Sequence, residues 1–552
     1  MRRGLGMVAV LLFAVLVPVS PARARDDLSR LTEHIRRHLE GQDPARLLVD
    51  GDRLLSAEAL PGFYERRGFA PAWSDGHDLA AAADSVLAVV AELQTDGLRP
   101  EDYGLAHLRR LRADLADGPA GRPRLACLLD LDLLLTDAWL LAGSHLLSGR
   151  INPETIDPEW FVRRRDGDLA AALERALAEG RPAAALRAFR PPQPGYARLR
   201  AALADYRELR RIGGWSPVPP GPTLHPGDQG PRVAALQARL AVTGDDQGPA
   251  TAILDAGLEA AVKHFQARHG LEVDGTVGPA TLAALAVPVS ERIEQLKANL
   301  ERWRWLPQDL GTTYVLVNIA AQQLSVWHSG RQELEMAVIV GRSFRRTPVF
   351  SGRMTYLVLS PAWEVPPSLA VQDKLPELQA DPGRLADLGF QAFAGWEADA
   401  PEIDLRSVDW TRVTPETFGY RLRQKPGPQN ALGRVKFMFP NRYSVYLHDT
   451  PSRELFRRAS RAFSSGCIRI EDPEALAVKL LADQPAWTPE AIREAMQAGV
   501  ERTVALKQPV SVHLLYWTAW VADDGQVCFR DDVYHRDAPL QAALASAAPE
   551  EP

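Results

Sequence analysis

A run dense in proline and glycine divides this chain into two unlike parts. The run, Gly213–Pro222, breaks any helical or strand pattern and predicts a linker at 212–223. Apolar residues recur at helical spacing before it, whereas short β-prone runs separated by turn residues dominate after position 313. Because 552 residues exceed what one hydrophobic core organises, we expect about two to four domains and a multidomain α+β fold.

The amino-terminal part, 26–211, is predicted to be a helical domain. Two apolar stripes, at 28–39 and 79–93, have helical spacing, and each is followed by a helix-ending glycine. A third apolar run, 125–147, contains three aspartates. Because such charges are costly inside a bilayer, we interpret this run as a buried helix and not as a membrane span.

The first 24 residues have the pattern of a secretory signal peptide. Two arginines precede a short apolar core at 8–17, and Ala22-Arg23-Ala24 has the small-x-small form of a cleavage site. The core is short for a bilayer span, although an uncleaved amino-terminal anchor stays open as the alternative. We therefore predict a signal peptide at 1–24 and an exported mature chain.

The cysteine count argues against a disulfide framework. Three cysteines stand at 127, 467 and 528, which is few for an oxidising compartment. If Cys467 must stay a thiol, Cys127 and Cys528 are best interpreted as buried apolar side chains. No Cys/His cluster has metal-ligand spacing, so we expect neither metal nor cofactor. The net charge of −6, without a basic patch, gives no sign of a nucleic-acid partner.

A compact module of three helices is predicted at 224–287. Apolar residues at helical spacing mark two buried faces, formed by Val233, Leu236, Leu240, Leu258, Val262 and Phe265. Gly275 and Gly278 supply turns between the helices. Helical spacing continues through 288–312 and predicts a connector helix.

The remaining segment, 313–540, is predicted to be a β-rich domain resembling a sandwich, because short β-prone runs follow one another with turn residues between them. A polar stretch at 368–424 interrupts these runs. Long insertions in compact domains are usually functional, and the polarity of this one argues against a buried strand, so we predict a lid. Residues 541–552 are predicted to be a disordered tail.

Residues 443–470 have the local pattern of a catalytic loop. Period-2 alternation places Tyr446 and His448 on one face of a strand. Thr450, followed by proline, is a good helix cap and predicts a short helix at 451–461. The chain then turns back toward the strand.

Cys467 follows this return and is the predicted nucleophile. A free thiol titrates near 8.5, so it needs a base, and His448 can supply one. Gly466 permits a turn in which the amides of Gly466 and Cys467 face a developing oxyanion. No carboxylate is clearly placed to orient the imidazole, since Asp449 lies on the opposite face of the strand. Taken singly, a lone cysteine or histidine is more often a buried structural residue.

Together these residues resemble the signature of the L,D-transpeptidases with a YkuD-type catalytic domain, which is a histidine, a gap of this length, and Ser-x-Gly-Cys-x-Arg. The matching positions are His448, Ser464, Gly466, Cys467 and Arg469. Ser465 stands where many relatives have a second histidine. The order of segments is similar to that of the large proteobacterial branch, with a scaffold domain, a peptidoglycan-binding module, and a catalytic domain whose cleft is capped.

The resemblance implies a periplasmic, cell-wall-associated enzyme that forms 3→3 cross-links in peptidoglycan. Cys467 would attack the third residue of a tetrapeptide stem, release the terminal D-Ala, and pass the acyl group to an amine of another stem. Implied partners are stem peptides, glycan, and carbapenem-type inhibitors that acylate Cys467. The implied substrate contacts are Tyr446, Arg469, Ser464, Ser465 and Trp363. For Arg469, bracing of the loop stays open as the alternative.

Two other functions fit parts of the pattern. A Cys/His peptidase, that is an L,D-carboxypeptidase, would share every catalytic residue and differ only in its acceptor, which is water. A non-catalytic cell-wall-binding protein would not need intact His448, Gly466 and Cys467. The acceptor stays open between a stem amine, a free D-amino acid and a lipoprotein lysine. Glycan contact by the module and the oligomeric state also stay open.

Overall fold

The computed structural model describes residues 21–41, 43, 47–117 and 123–546. The predicted signal peptide lies outside these residues up to position 20, and the first helix begins at Pro21. The last six positions of the predicted tail also lie outside them. Among the described residues, no helix combines the length and apolarity that crossing a membrane requires.

The amino-terminal domain is helical, as predicted. Its elements are α1 (Pro21–Leu39), β1 (Leu48–Val49), β2 (Asp52–Arg53), α2 (Ala59–Arg66), α3 (Ala81–Glu92), α4 (Leu105–Asp117), α5 (Arg124–Ser148), α6 (Pro153–Ile156), α7 (Leu169–Ala178), α8 (Pro182–Ala188) and α9 (Pro194–Arg211). The run with three aspartates forms α5, which is largely buried. Asp132 is satisfied there, because it accepts hydrogen bonds from the amides of Ala72 and Trp73 and from the Tyr64 hydroxyl.

The three-helix module and its connector follow. Their helices are α10 (Pro231–Val242), α11 (Ala256–Arg268), α12 (Pro279–Ala286) and α13 (Val289–Arg304). The six apolar residues predicted to face inward are all buried in one cluster. Helix α13 is no exposed linker, since Glu301 and Arg304 form a fully buried ion pair within it. Arg304 also donates to the carbonyl of Asp96 and the hydroxyl of Tyr196, which fastens the amino-terminal domain to α13.

The carboxy-terminal domain is β-rich, as predicted. Its strands are β3 (Thr313–Asn318), β4 (Gln323–His328), β5 (Arg331–Gly341), β6 (Phe350–Leu359), β7 (Trp363–Glu364), β8 (Phe390–Phe393), β9 (Glu402–Ile403), β10 (Arg421–Gln424), β11 (Val435–Met438), β12 (Leu447–His448), β13 (Ala462–Ser464), β14 (Ile468–Ile470), β15 (Arg502–Leu515), β16 (Ala519–Val521) and β17 (Val527–Phe529). Its helices are α14 (Pro367–Leu369), α15 (Leu375–Ala380), α16 (Pro382–Asp387), α17 (Pro473–Leu480), α18 (Pro489–Gln497) and α19 (Asp537–Ala545).

The main sheet closes on itself. Its order within the described residues is β13-β5-β14-β12-β11-β6-β15-β3-β4, and β4 also pairs with β5. Closure leaves the long β5 paired with β4 along its first half and with β14 and β13 along its second. Strand β12 lies between β11 and β14, and its pairing with β14 is parallel. The two short strands that carry the motif therefore lie side by side.

The insertion differs from the expected polar lid. It folds around its own core, with a four-stranded sheet in the order β7-β10-β8-β9. Ala392 on β8 and Leu422 on β10 are fully buried, so the prediction that the stretch contains no buried strand is wrong. The sheet also includes Trp363 and Glu364, which precede the predicted boundary at 368.

Two local predictions near the carboxyl end are also wrong. The helix predicted at 451–461 is only a 3-10 turn at Arg453–Arg457. The predicted tail is helical up to Ala545, since α19 buries Leu540 and Leu544 one turn apart.

Candidate active site

Parallel pairing of β12 and β14 brings the predicted base and nucleophile together. His448 is opposite Arg469 in this ladder, and Leu447 is opposite Ile468. The carbonyl of Tyr446 accepts a hydrogen bond from the amide of Ile468 at 3.1 Å. Cys467, which immediately precedes β14, thus lies alongside Tyr446 and His448 at the end of the two strands.

The imidazole of His448 is held by a backbone carbonyl. Its Nδ1 lies 2.6 Å from the carbonyl oxygen of Asp449, which can only accept, so Nδ1 carries the proton and Nε2 is left as the basic nitrogen. Burial, with the charge of Arg469 second, lowers the pKa of His448 to about 3. The ring is therefore neutral at physiological pH. The carboxylate of Asp449 has other partners, the amide of Arg434 and the guanidinium of Arg453.

The thiol of Cys467 is protonated in the resting site. Burial raises its pKa to about 11, against the lowering effects of Tyr446 and Arg469. Its Sγ donates to the carbonyl oxygen of Ser444 at 3.5 Å. Because the thiol is a weak acid here and the imidazole a weak base, a standing thiolate–imidazolium pair is disfavoured. The proton must leave Sγ as the sulfur attacks.

Ser444 has a backbone conformation that side chains rarely adopt, with φ at 56°. Asn441 holds this loop, since its Oδ1 accepts from the amides of Tyr443 and Val445 and its Nδ2 donates to the carbonyl of Val445. Tyr443 stacks on Phe161 of the amino-terminal domain at 4.4 Å between ring centroids. The loop whose Ser444 carbonyl accepts the thiol's hydrogen bond is therefore held both by Asn441 and by the stacking of Tyr443 on Phe161.

The turn before the nucleophile is fastened through Ser464. Ser464 is buried; its Oγ accepts from the amide of Gly466 at 3.1 Å and donates to the carbonyl of Cys467 at 2.5 Å. Thr347 Oγ1 donates to the carbonyl of Gly466 at 2.8 Å. Gly466 has φ at +116°, which requires glycine.

The structure shows both residues engaged within the turn. The Gly466 amide donates to Ser464 Oγ, and Ser464 Oγ donates to the carbonyl of Cys467. The oxyanion contact of Gly466 and the substrate contact of Ser464 stay predictions. The amide of Cys467 makes no hydrogen bond to any described residue, so it is the backbone donor left for an oxyanion.

Tyr446 lies beside both reacting groups. Its ring is 5.6 Å from that of His448 between centroids, which places the two side chains on one face as predicted. The side chains of Cys467 and Trp363 are polar neighbours of the Tyr446 hydroxyl. Burial and the neighbouring Cys467 raise the pKa of this hydroxyl well above its ordinary value, so it stays a donor.

Arg469 supplies positive charge next to the thiol and the imidazole. Burial, followed by the nearby charge of Arg342, lowers its pKa. Its Nε is buried without a hydrogen-bond partner among the described residues. A guanidinium whose donors are not fully used is suited to receive a carboxylate.

The insertion contacts the nucleophile turn through Arg345. This guanidinium donates to both oxygens of Asp373, to Oε1 of Gln372, and to the hydroxyl of Ser465. Glu364 on β7 forms ion pairs with Arg421 and Arg423 on β10, within the sheet of the insertion.

Several residues of this site escaped the sequence analysis. The acceptors on Ser444 and Asp449 are backbone carbonyls, which any residue type provides, so composition and spacing contain no sign of them. Thr347 and Arg345 lie between β5 and β6, outside the motif at 443–470 from which the site was predicted. Cys127 and Cys528 are buried, as predicted. The described residues contain no cluster of three or more side chains suited to a metal ion.

Comparison with known families assigns three regions of the chain. Residues 312–492 match the model described as "L,D-transpeptidase catalytic domain". This region belongs to the L,D-transpeptidase family. Residues 58–203 match a "Scaffold domain", and residues 229–285 match a "Putative peptidoglycan binding domain". The L,D-transpeptidase domain thus follows a scaffold and a peptidoglycan-binding module, the order that the motifs indicated.

A curated protein of Haemophilus influenzae, named "Putative L,D-transpeptidase", is 34% identical over 251 residues. The match covers 45% of this chain and 49% of the relative, so it spans about half the relative's length. A solved L,D-transpeptidase from Xylanimonas cellulosilytica is 18% identical, with 54% of this chain and 98% of that chain covered and a TM-score of 0.16. One from Stackebrandtia nassauensis is 14% identical, with 54% and 97% covered and a TM-score of 0.22. With TM-scores this low, the family assignment depends on the sequence matches.

Proposed function

We propose that this chain is a peptidoglycan L,D-transpeptidase that forms 3→3 cross-links through a thioester on Cys467. The observation that supports this most is the neutral imidazole of His448, whose Nδ1 donates to the carbonyl of Asp449 while Nε2 makes no hydrogen bond to a described residue. A neutral base next to a protonated thiol suits an attack in which proton and sulfur move together.

In the first half of the reaction, Sγ of Cys467 bonds to the carbonyl carbon of the third stem residue while Nε2 of His448 takes the thiol proton. The oxyanion that forms receives the amide of Cys467 and the hydroxyl of Tyr446 as donors. The intermediate collapses by breaking the C–N bond to D-Ala, and the imidazolium returns its proton to the leaving amine. A thioester and a neutral imidazole remain.

In the second half, an acceptor amine attacks the thioester carbonyl and gives up a proton to Nε2 of His448. Collapse breaks the C–S bond, and the proton passes to the departing sulfur, which restores the thiol. Arg469 is placed to hold a stem carboxylate through the donors it does not use internally.

The carboxypeptidase alternative differs only in the acceptor, so the lifetime of the thioester separates the two. The insertion next to the nucleophile turn is placed to exclude water, which favours transfer to an amine. We propose an exported, periplasmic location from the amino-terminal pattern, and acylation of Cys467 by carbapenem-type inhibitors from the same thiol chemistry.

The deciding experiment uses the mature protein with a tetrapeptide donor and intact-mass detection. A mass increase on Cys467 is expected, and Cys467→Ala should show none. Adding a stem-peptide amine should discharge the adduct much faster than buffer does, whereas rapid loss in buffer alone would favour the carboxypeptidase. An adduct on Cys127 or Cys528 would contradict the assignment of the site. Muropeptide analysis of treated sacculi then distinguishes stem amine, free D-amino acid and lipoprotein lysine as acceptors.

A further inference from the structure

A cleft of about 820 Å³ lies between the scaffold and the catalytic domain. Its walls are formed by the start of α9, by Trp303 of α13, and by residues of the β3–β4 and β16–β17 hairpins. The volume falls within the range of pockets that hold small ligands. Because none of the active-site residues described above lines it, this cleft is a separate site.

Five aromatic residues line this cleft. Tyr314 and Trp327 are cross-strand partners on β3 and β4, with ring centroids 6.2 Å apart and ring planes only 7° apart. Both are half-buried, and so is Trp520 on β16. Trp303 and Trp517 stack at 4.3 Å and form a buried part of the wall. The half-exposed rings leave apolar area in water that a ligand with apolar faces would cover.

Polar groups surround these rings, and they include both donors and acceptors. Gln332 donates to Glu335 at 2.5 Å, and Arg198 pairs with Asp523 at 3.0 Å. Asp524 adds a further carboxylate to the lining. Charges of both signs are present, so the cleft favours neither a polyanion nor a polycation. A neutral ligand rich in hydroxyl groups suits this rim better.

We propose that this aromatic cleft binds the glycan strand of peptidoglycan. A sugar ring has C–H faces that stack on aromatic planes and a rim of hydroxyl and amide groups that hydrogen-bond to mixed donors and acceptors. The pair formed by Tyr314 and Trp327 supplies such a plane, and the carboxylates and amides beside it supply the rim. The proposal rests on the proposed function, which makes peptidoglycan the substrate.

The position of the peptidoglycan-binding module supports a glycan strand as the ligand of the cleft. The β16–β17 hairpin that carries Trp520 also docks the module, since Arg268 of α11 donates to the carbonyl of Val527 at 3.1 Å. Arg530 donates to the carbonyl of Arg268 at 2.8 Å, and its guanidinium lies 4.8 Å from the centre of the Trp520 ring. One hairpin thus joins the module to the cleft, and a polymer lying across it would contact both.

The test measures binding of stem-free glycan strands, obtained by removing the peptides from sacculi with an amidase. Titration of the full chain by calorimetry should give saturable binding, and Trp327→Ala and Trp520→Ala should each raise the Kd by about three- to tenfold, the usual effect of losing one aromatic stack. Trp396→Ala is the matched control, because Trp396 is 45% exposed in the insertion and does not line the cleft. It should bind as the parent does.

The proposal would be wrong if Trp327→Ala and Trp520→Ala both bound glycan strands as the parent does. It would also be wrong if the chain bound free stem peptide and not the glycan strands, and if that binding were lost in Trp327→Ala. Gln332→Ala, an exposed change in the same wall, gives the answer if a tryptophan variant fails to fold, and it too should weaken binding. Acylation of Cys467 in the unaltered chain by a sugar-free tetrapeptide is scored separately. Strand binding without acylation would refute the proposed function and leave the cleft as a glycan site.

Discussion

Both Nη atoms of Arg345 lie 2.7 Å from the carboxylate oxygens of Asp373, so a two-pronged ion pair joins the segment beside the nucleophile to the insertion. The same guanidinium reaches the hydroxyl of Ser465, two residues before Cys467. Arg345 lowers the pKa of Asp373, as expected for a carboxylate that accepts two charge-assisted bonds. This ion pair therefore connects the insertion directly to the turn that carries the nucleophile.

Breaking this link should loosen the insertion without unfolding the protein. Asp373→Asn removes one charge of a pair whose members are 19% and 33% exposed, so we expect a loss of at most about 1 kcal/mol in the free energy of unfolding. Amide exchange at 370–374 should become faster, and the Cys467 thioester should hydrolyse faster in buffer because water enters more easily. Exchange followed by mass spectrometry and thioester lifetime are the two measurements.

Asp387→Asn is the control for this prediction. Asp387 pairs with Arg406 inside the insertion, where both side chains are more exposed than those of the first pair. It should change neither the thioester lifetime nor exchange at 370–374. Equal lifetimes in the parent and both variants would show that the insertion excludes water without help from Arg345.

The adjacent residues Ser464 and Ser465 should respond differently to replacement by alanine. Ser464→Ala leaves the buried amide of Gly466 without its acceptor, which costs about 1–3 kcal/mol of unfolding free energy and disturbs the turn. Ser465→Ala removes only an exposed contact to Arg345 and should be nearly neutral. Urea denaturation and the acylation rate of each variant check this. A larger loss in the Ser465 variant would mean that substrate, not the turn, needs the hydroxyl at this motif.

The sequence predicted which residues meet in this site better than it predicted how their backbones are used. Spacing and alternation placed Tyr446, His448 and Cys467 together, because side-chain periodicity follows from strand geometry. The hydrogen bond from the Gly466 amide to the Ser464 hydroxyl was not predicted, because spacing does not show which acceptor a backbone amide uses. The orienting role of the Asp449 carbonyl depends on backbone direction, which residue type does not encode.

The fold shows the same limit. Stripes with a helical period predicted α5 and the three-helix module, since each helix buries one continuous face. The core of the insertion was missed because its apolar residues, among them Leu378, Leu385 and Leu422, are scattered over short elements and leave no sustained period. The end of the chain was predicted to be disordered, although α19 buries Leu540 and Leu544 and the guanidinium of Arg150 donates to the carbonyl of Leu544.

Losing the base should slow acylation far more than it changes the fold. His448→Ala should lower the rate of thioester formation by about two to four orders of magnitude, the usual contribution of general-base help. The Ser465→Ala variant is the control and should keep most of the parent's rate. Stopped reactions analysed by intact mass give both rates. If Ser465→Ala slowed acylation more than His448→Ala did, the assignment of His448 as the base would be wrong.

Alkylation of Cys467 should report its raised pKa. With a pKa of about 11, the thiolate fraction at pH 8 is lower than that of an ordinary cysteine by a factor on the order of 10², so iodoacetamide should react slowly. The rate should rise with pH up to about 11. Tyr446→Phe removes a hydrogen bond that stabilises the thiolate and should slow the reaction further. Fast alkylation at pH 7 would show that the resting site holds a thiolate.

The lowered pKa of His448 also predicts how stability depends on pH. Unfolded, the imidazole titrates near 6.5, whereas in the folded chain its pKa is about 3. Between these values the unfolded state binds a proton that the folded state does not, so the free energy of unfolding falls as pH drops from about 6.5 toward 3, by at most about 1.4 kcal/mol per pH unit. Above pH 6.5 this residue does not change the free energy of unfolding with pH.

His448→Gln keeps a similar volume without the titrating group, so the difference in unfolding free energy between parent and variant should shrink from pH 6.5 to pH 5. A difference that stays constant over this range would mean that the folded imidazole accepts protons as readily as the unfolded one. The rate of acylation should then fall as the pH drops below about 6.5, as expected for an ordinary histidine base.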